Sequence, residues 1–120
     1  MSEPTRWRVE LYERRDGSSP VVEFIEKQSI RNQAKIFAEF DDLAEFGLMP
    51  RGNKLKQLEG KLWELRFRGE DLQFRFIYFV QARRSIVILH GFHKKTQKTP
   101  KQELDIASRR LRDLQDRHGR

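Results

Sequence analysis

The spacing of apolar residues changes near Pro50, and this change constrains the fold more than any other feature of the sequence. Residues 29–46 place apolar side chains at the interval of about 3.6 residues that is typical of amphipathic helices. After Pro50, apolar and polar residues alternate, as in a half-buried strand. The alternation is clearest in residues 61–68, whose faces carry Trp63, Leu65 and Phe67 on one side and Glu64, Arg66 and Arg68 on the other. Helices and a sheet must therefore share the chain.

Capping and turn residues set the bounds of the predicted elements. Ser19 and Pro20 suit the N-cap and the first position of a helix, and Thr99-Pro100-Lys101-Gln102 matches a capping box with proline at its first helical position. In chain order, the patterns predict a strand over 6–13, helices over 20–27 and 29–46, strands over 61–68, 74–80 and 85–92, and a helix over 100–117. The predicted order is β-α-α-β-β-β-α.

This order predicts an α+β fold in which a small antiparallel sheet packs against helices. Short polar connections make the last three strands a meander, and the N-terminal strand is expected at one edge of the sheet. Tyr78 should face the core, because it lies on the opposite side of its strand from Arg75. No repeat or Pro/Gly/Ser-rich linker divides the chain, so residues 1–120 are expected to form one domain.

The composition excludes several classes of protein. The chain has no cysteine, so it cannot hold a disulfide framework, a thiolate zinc site or a thiol nucleophile. It has neither the apolar region of a secretory signal nor an apolar run near the ~20 residues that span a bilayer. We therefore expect a soluble, cytoplasmic protein with no membrane partner.

The charge is unevenly distributed along the chain. Residues 1–50 carry 7 Lys and Arg against 10 Asp and Glu, a net charge of −3, whereas residues 51–120 carry 18 against 8, a net charge of +10. A chain polarised in this way favours a polyanionic partner, and nucleic acid is the first candidate. The alternative is a solvated basic surface without a function.

Two arginines are predicted to face each other across a hairpin. Pairing of the strands 61–68 and 74–80 would place Arg66 opposite Arg75, and like charges in such positions destabilise a sheet unless an anion lies between them. We expect both arginines on an exposed strand face, with Arg68 beside them. The alternatives are that Glu64, on the same face, neutralises one guanidinium group, or that the register is shifted by one residue.

A lysine-rich segment precedes the C-terminal helix. Residues 91–101 contain four lysines, one histidine and no acidic residue. The free N–H groups and the dipole of a helix N-terminus favour an anion, and Lys94, Lys95 and Lys98 would reinforce that preference. The segment is therefore a predicted phosphate clamp, although a solvated loop is the alternative.

Lys54 and Lys56 share one side of the chain where it enters the sheet. They could flank the same groove, although alternating lysines also protect sheet edges from aggregation. A lysine surrounded by other cations gives up its proton more readily, so Lys54 and Lys94 are both candidates for a general base.

Histidine offers another acid/base candidate. His93, at the end of the last predicted strand, titrates near neutral pH when unperturbed. A hairpin centred near Ala82-Arg83 would place His90 opposite Arg75, where it could touch the basic face or serve the structure alone. No HExxH motif, P-loop or Ser/His/Asp arrangement is present, so we expect no metal and no cofactor.

Three stretches in combination resemble one toxin family. They are Leu58-Glu59-Gly60-Lys61-Leu62-Trp63-Glu64-Leu65-Arg66, Phe74-Arg75-Phe76-Ile77-Tyr78 and Leu89-His90-Gly91-Phe92-His93-Lys94-Lys95-Thr96-Gln97-Lys98-Thr99-Pro100. They are similar to the HigB-like, phage-derived branch of the RelE/ParE toxins. This resemblance implies a RelE-like fold and a metal-independent endoribonuclease that cleaves messenger RNA on the ribosome and inhibits translation. It also places Arg66, Arg75, Lys94, Lys95, Lys54 and Lys56 on the basic active face.

Together, the residue patterns and the resemblance give two sets of site residues. The expected catalytic residues are Arg66, Arg75, His93 and Lys94, and the expected RNA-binding residues are Lys54, Lys56, Arg68, Lys95 and Lys98. The resemblance further implies a helix-turn-helix antitoxin as partner, with operator DNA bound only through the antitoxin complex. A ParE-like inhibitor of gyrase and a non-catalytic RNA-binding module are the alternative functions.

Overall fold

The computed structural model describes residues 6–48, 52, 54–82 and 84–118. It is an α+β structure, as predicted. In chain order its elements are β1 (Arg8–Leu11), α1 (Pro20–Glu26), α2 (Ile30–Phe46), β2 (Leu55–Gln57), β3 (Leu62–Arg68), β4 (Gln73–Gln81), β5 (Ser85–His93) and α3 (Lys101–Arg117). Every predicted element is present, and β2 is an addition.

The sheet has five strands in the order β1-β5-β4-β3-β2. Strands β2 to β5 pair in antiparallel fashion, whereas β1 runs parallel to β5 at the edge. The predicted small antiparallel sheet is therefore wrong in two respects, because the sheet is mixed and has an additional strand. Alternation in a sequence shows which residues share a face but not the direction of a strand, and the alternation around Leu55 is too short to predict a strand by itself.

Each face of the sheet is covered by helices. On one face, buried residues of α1 and α2 pack against Leu65, Phe74, Phe76, Tyr78, Ile86 and Ile88. On the other face, α3 packs through Leu104, Ala107, Leu111 and Leu114 against Leu62, Ile77, Phe79, Val87, Leu89 and Phe92. Tyr78 is fully buried, which confirms its predicted place in the core.

A bulge between Ile77 and Tyr78 changes the register of β4 and β5, so that Ile77 pairs with His90 while Tyr78 pairs with Ile88. The expected position of His90 opposite Arg75 is therefore wrong. Instead, the Nε2 atom of His90 lies 2.6 Å from the Oε1 atom of Glu103 on α3. This contact between His90 on β5 and Glu103 connects α3 to the sheet.

The helix N-termini differ in how they are capped. Ser19 caps α1, because its side chain accepts a hydrogen bond from the Val22 N–H, as predicted. The predicted capping box of α3 is wrong: Pro100 is the N-cap, and no side chain caps the helix. The Thr99 hydroxyl bonds to Glu64 instead, at 2.7 Å. Within the described residues, no helix has the length and apolar character that crossing a membrane requires.

Candidate functional site

Arg66 on β3 lies directly opposite Arg75 on β4, and Arg68 lies opposite Gln73. The first of these pairings confirms the predicted register. The Gly69 N–H donates to the Leu72 carbonyl at 2.8 Å, which closes the tight turn between the two strands and thereby holds the register. Two guanidinium groups at directly opposite positions repel each other unless an anion compensates them.

Glu64 is that anion. Its side chain is fully buried, and its Oε1 atom lies 2.8 Å from the Nε atom of Arg66 and 3.4 Å from the Nη1 atom of Arg75. Its Oε2 atom accepts a hydrogen bond of 2.7 Å from the Thr99 hydroxyl. A buried carboxylate is stable only when it is paired and hydrogen-bonded, and these three donors meet that need. The alternative that Glu64 neutralises a guanidinium group is thus confirmed, and Glu64 contacts both arginines rather than one.

The two arginines differ in exposure. The side chain of Arg75 is 4% exposed, and its Nη1 atom also donates to the Gln97 carbonyl at 3.1 Å. Burial lowers the pKa of Arg75 from its ordinary value. The negative charge of Glu64 opposes this decrease, whereas the positive charge of Arg66 adds to it. The expectation that Arg75 lies on an exposed face is therefore wrong, because the segment before α3 covers it.

Arg66 keeps a free part of its guanidinium group. Its side chain is 26% exposed, and only its Nε atom is held by Glu64. The Nη2 atom is buried and has no hydrogen-bond partner in the part of the chain that the structure describes. Glu64 thus occupies one of the donors of this guanidinium group, which has further donors with which to bind an anion.

An open pocket of about 560 Å³ lies over the arginine pair, between α2, the hairpin of β3 and β4, and the segment before α3. The predicted site residues that line it are Lys54, Arg66, Arg68, Arg75 and Lys94. We call it the basic pocket. Lys35, Glu39 and Gln97 also line it, and the sequence had not indicated any of the three.

Lys54 has an acidic partner in the basic pocket. Its Nζ atom lies 3.0 Å from the Oε2 atom of Glu39, a side chain that is 2% exposed, and Lys35 lies 3.1 Å from the same oxygen. Lys54 therefore lies beside a buried carboxylate that it shares with Lys35, and is not surrounded by cations as expected. No signal in the sequence could have revealed this contact, because α2 meets Lys54 only through the tertiary fold.

The remaining predicted lysines lie outside the basic pocket. Lys95 and Lys98 are exposed in the segment that precedes α3. Lys56 is exposed on β2, where it pairs with Glu64 in the strand register. These three lysines add positive charge around the basic pocket without forming its wall.

His93 is not brought together with the arginine pair. It pairs with Phe74 in the register, which directs it to the face that α1 covers. Its ring lies 5.3 Å from that of Phe24 and 5.2 Å from that of Phe74, and its Nε2 atom is 3.0 Å from the Gln28 Oε1 atom. Burial lowers the pKa of His93, and the nearby charge of Lys95 lowers it further.

The chemistry of the basic pocket is that of anion binding. Guanidinium and ammonium groups converge on an open cavity, and two buried carboxylates, Glu39 and Glu64, hold some of them in place. Among the described residues, no three acidic or histidine side chains are grouped so that they could hold a metal ion. The cations that line the basic pocket can bind and polarise a phosphate group.

A family model described as phage derived protein Gp49-like (DUF891) matches residues 23–112, three quarters of the chain. The matched region includes every residue that lines the basic pocket. No curated protein matches the chain.

Proposed function

Because the chain belongs to the Gp49-like family of phage-derived proteins, we propose that it is a HigB-like toxin that cleaves messenger RNA on the translating ribosome. The family is RelE-like and is associated with the toxins of toxin–antitoxin systems, which points to an antitoxin partner. The proposal includes a helix-turn-helix antitoxin that binds operator DNA together with the toxin, and a site of action in the cytoplasm.

One observation carries the proposal: Arg66, whose side chain is 26% exposed, lines a pocket together with several other cations. A planar guanidinium group binds two phosphate oxygens at once, which a single ammonium group cannot do in the same geometry. An RNA backbone supplies a series of such phosphates. The basic pocket is open at its surface, so a single strand can pass across it without being enclosed.

Cleavage of RNA without a metal requires three contributions. The 2′-hydroxyl attacks the adjacent phosphorus, the bond to the 5′-oxygen breaks, and a 2′,3′-cyclic phosphate remains on the upstream fragment. A base must take the proton of the 2′-hydroxyl, an acid must protonate the leaving 5′-oxygen, and cations must stabilise the additional negative charge of the transition state.

The structure supports a division of these roles. Arg66 suits the stabilisation of charge on the phosphate, because its side chain lines the basic pocket and is 26% exposed. Lys54 suits the acid, since its ion pair with Glu39 keeps an ammonium group at a fixed place. Lys94 lines the basic pocket without an ion-pair partner among the described residues, and it is the candidate base. Arg75 maintains the position of Glu64 and Gln97.

The proposal is tested by expressing the chain in a bacterial host together with two reporter transcripts that differ only in the start codon. We expect growth arrest and new 5′ ends within the translated transcript alone, and we expect both effects to disappear in the Arg66→Ala variant. DNA breaks without RNA cleavage would indicate a gyrase inhibitor instead. RNA binding without cleavage or arrest would indicate a non-catalytic module.

A further inference from the structure

The segment of residues 94–99 is fastened to the sheet at three points. The Lys94 N–H donates to the Gln73 carbonyl at 2.8 Å. The Gln97 carbonyl accepts from Arg75 at 3.1 Å, and the Thr99 hydroxyl donates to Glu64 at 2.7 Å. The last two contacts are made to the ion pair beneath the basic pocket, so the segment and the arginine pair are parts of one hydrogen-bonded network.

We infer that the Thr99–Glu64 hydrogen bond positions the 94–98 segment over the arginine pair, and that Thr99 and Glu64 are positioning residues of the basic pocket. The consequence for RNA rests on the proposed function, whereas the hydrogen bond and its effect on the segment do not. Neither residue needs to touch the substrate. They act by fixing where Lys94, Lys95 and Lys98 can reach.

Burial makes this hydrogen bond a strong one. Thr99 is 5% exposed and Glu64 is fully buried, so water does not compete for either group. Hydrogen bonds to a charged acceptor are stronger than those between neutral groups, and a dry environment strengthens them further. Among the described residues, Thr99 is the donor to the one Glu64 oxygen that the arginines leave free.

The place of Thr99 in the chain supports the inference. Thr99 directly precedes Pro100, the N-cap of α3, and α3 has no side-chain cap. The hydroxyl of Thr99 bonds to a residue 35 positions away in the sequence. This contact therefore joins the end of the 94–98 segment to the arginine pair at the point where α3 begins.

The inference is tested with Thr99→Val, which keeps the shape of the side chain and removes the donor, and with Thr99→Ser, which restores the donor. Ser85→Ala is a matched control, because Ser85 is 1% exposed and donates to the carboxylate of Glu10 elsewhere in the sheet. Trypsin cuts after lysine, so limited proteolysis with mass spectrometry measures how often the segment opens at Lys94, Lys95 and Lys98.

In Thr99→Val we expect cleavage after these lysines to accelerate on the order of 10- to 100-fold, as for the loss of a hydrogen bond to a charged group. Cleavage elsewhere in the chain should keep its wild-type rate. Thr99→Ser and Ser85→Ala should both resemble the wild type at this segment. Unchanged cleavage in Thr99→Val, or equal acceleration at all sites, would overturn the inference.

A second measurement separates this inference from the proposed function. Binding of a fluorescein-labelled single-stranded RNA 12-mer is measured over a range of salt concentrations. If the segment binds phosphates, the slope of log affinity against log salt should fall by about 0.7 for each phosphate that the Thr99→Val variant no longer neutralises. A wild-type protein that neither binds nor cleaves RNA would remove the proposed function, while the proteolysis result would still decide the role of Thr99.

Discussion

Arg66 and Arg75 share one carboxylate oxygen, the Oε1 atom of Glu64, at distances of 2.8 and 3.4 Å. Two positive charges therefore face one negative charge in a buried position between adjacent strands. A phosphate group can neutralise this excess of positive charge. Of the two arginines, Arg66 is the one that a phosphate in the solvent can reach, since the side chain of Arg75 is 4% exposed.

The first prediction concerns the buried carboxylate. Glu64→Gln keeps the shape of the side chain and leaves two guanidinium groups without a counter-charge. Breaking a buried ion pair by removing one partner costs about 3–5 kcal/mol of folding free energy. Urea unfolding measures this loss, and Glu45→Gln, at an exposed position on α2, should change stability by less than about 0.5 kcal/mol. Equal stability of the two variants would contradict the role assigned to Glu64.

The two arginines should respond differently to truncation. Arg66→Ala is expected to reduce ribosome-dependent cleavage on the order of 100-fold, as for loss of one donor to a transition-state oxyanion, in a protein that still folds because Arg75 and Thr99 continue to bind Glu64. Arg75→Ala should mainly reduce the free energy of unfolding, because it removes a buried partner of Glu64 and Gln97. Single-turnover cleavage rates and urea unfolding of both variants check the distinction. Equal changes of the cleavage rate and of the free energy of unfolding in the two variants would contradict this distinction.

The geometry predicts that His93 is dispensable for chemistry. His93→Gln retains a polar side chain next to Gln28 on the face away from the basic pocket, so cleavage should stay within a few-fold of the wild-type rate. Lys94→Ala, one residue further along, should lose most of the activity. A pH–rate profile of both variants separates the two residues. Loss of activity in His93→Gln with an unchanged melting temperature would restore histidine as the acid or base.

Stability should fall as the solution is acidified below about pH 6.5, the ordinary pKa of histidine. Burial lowers the pKa of both His90 and His93 in the folded protein, so the unfolded chain takes up protons first as the pH falls. Thermal melts between pH 7.5 and 5.5 should show this loss, and His90→Gln should reduce it. His118→Gln, at an exposed position, is the control. A melting temperature that rises on acidification would contradict the predicted loss of stability.

Local patterns predicted the parts of the fold that local interactions determine. The register of Arg66 against Arg75 could be predicted because a tight turn joins their strands. The parallel pairing of β1 with β5 could not, since nothing in an isolated strand encodes its direction. The neighbours of Thr99 match a helix-capping motif, whereas its hydroxyl bonds to a buried carboxylate far away in the sequence.

The candidate site was predictable to a similar extent. Alternation placed Arg66 and Arg68 on one face, and both line the basic pocket. The same alternation, carried one residue beyond Phe92, directs His93 to the other face, where it pairs with Phe74. Glu39 could not be found, because its contact with Lys54 depends on how α2 packs beside the sheet.

The central claim is that the basic pocket cleaves messenger RNA on the ribosome, and a reconstituted reaction tests it most directly. Purified protein is added to end-labelled messenger RNA, either naked or bound to translating ribosomes, and the product ends are analysed. We predict cleavage only in the ribosome-bound RNA, with a 2′,3′-cyclic phosphate on the upstream fragment and a rate about 100-fold lower for Arg66→Ala. No cleavage by a folded wild-type protein, or equal cleavage by Arg66→Ala, would contradict the account.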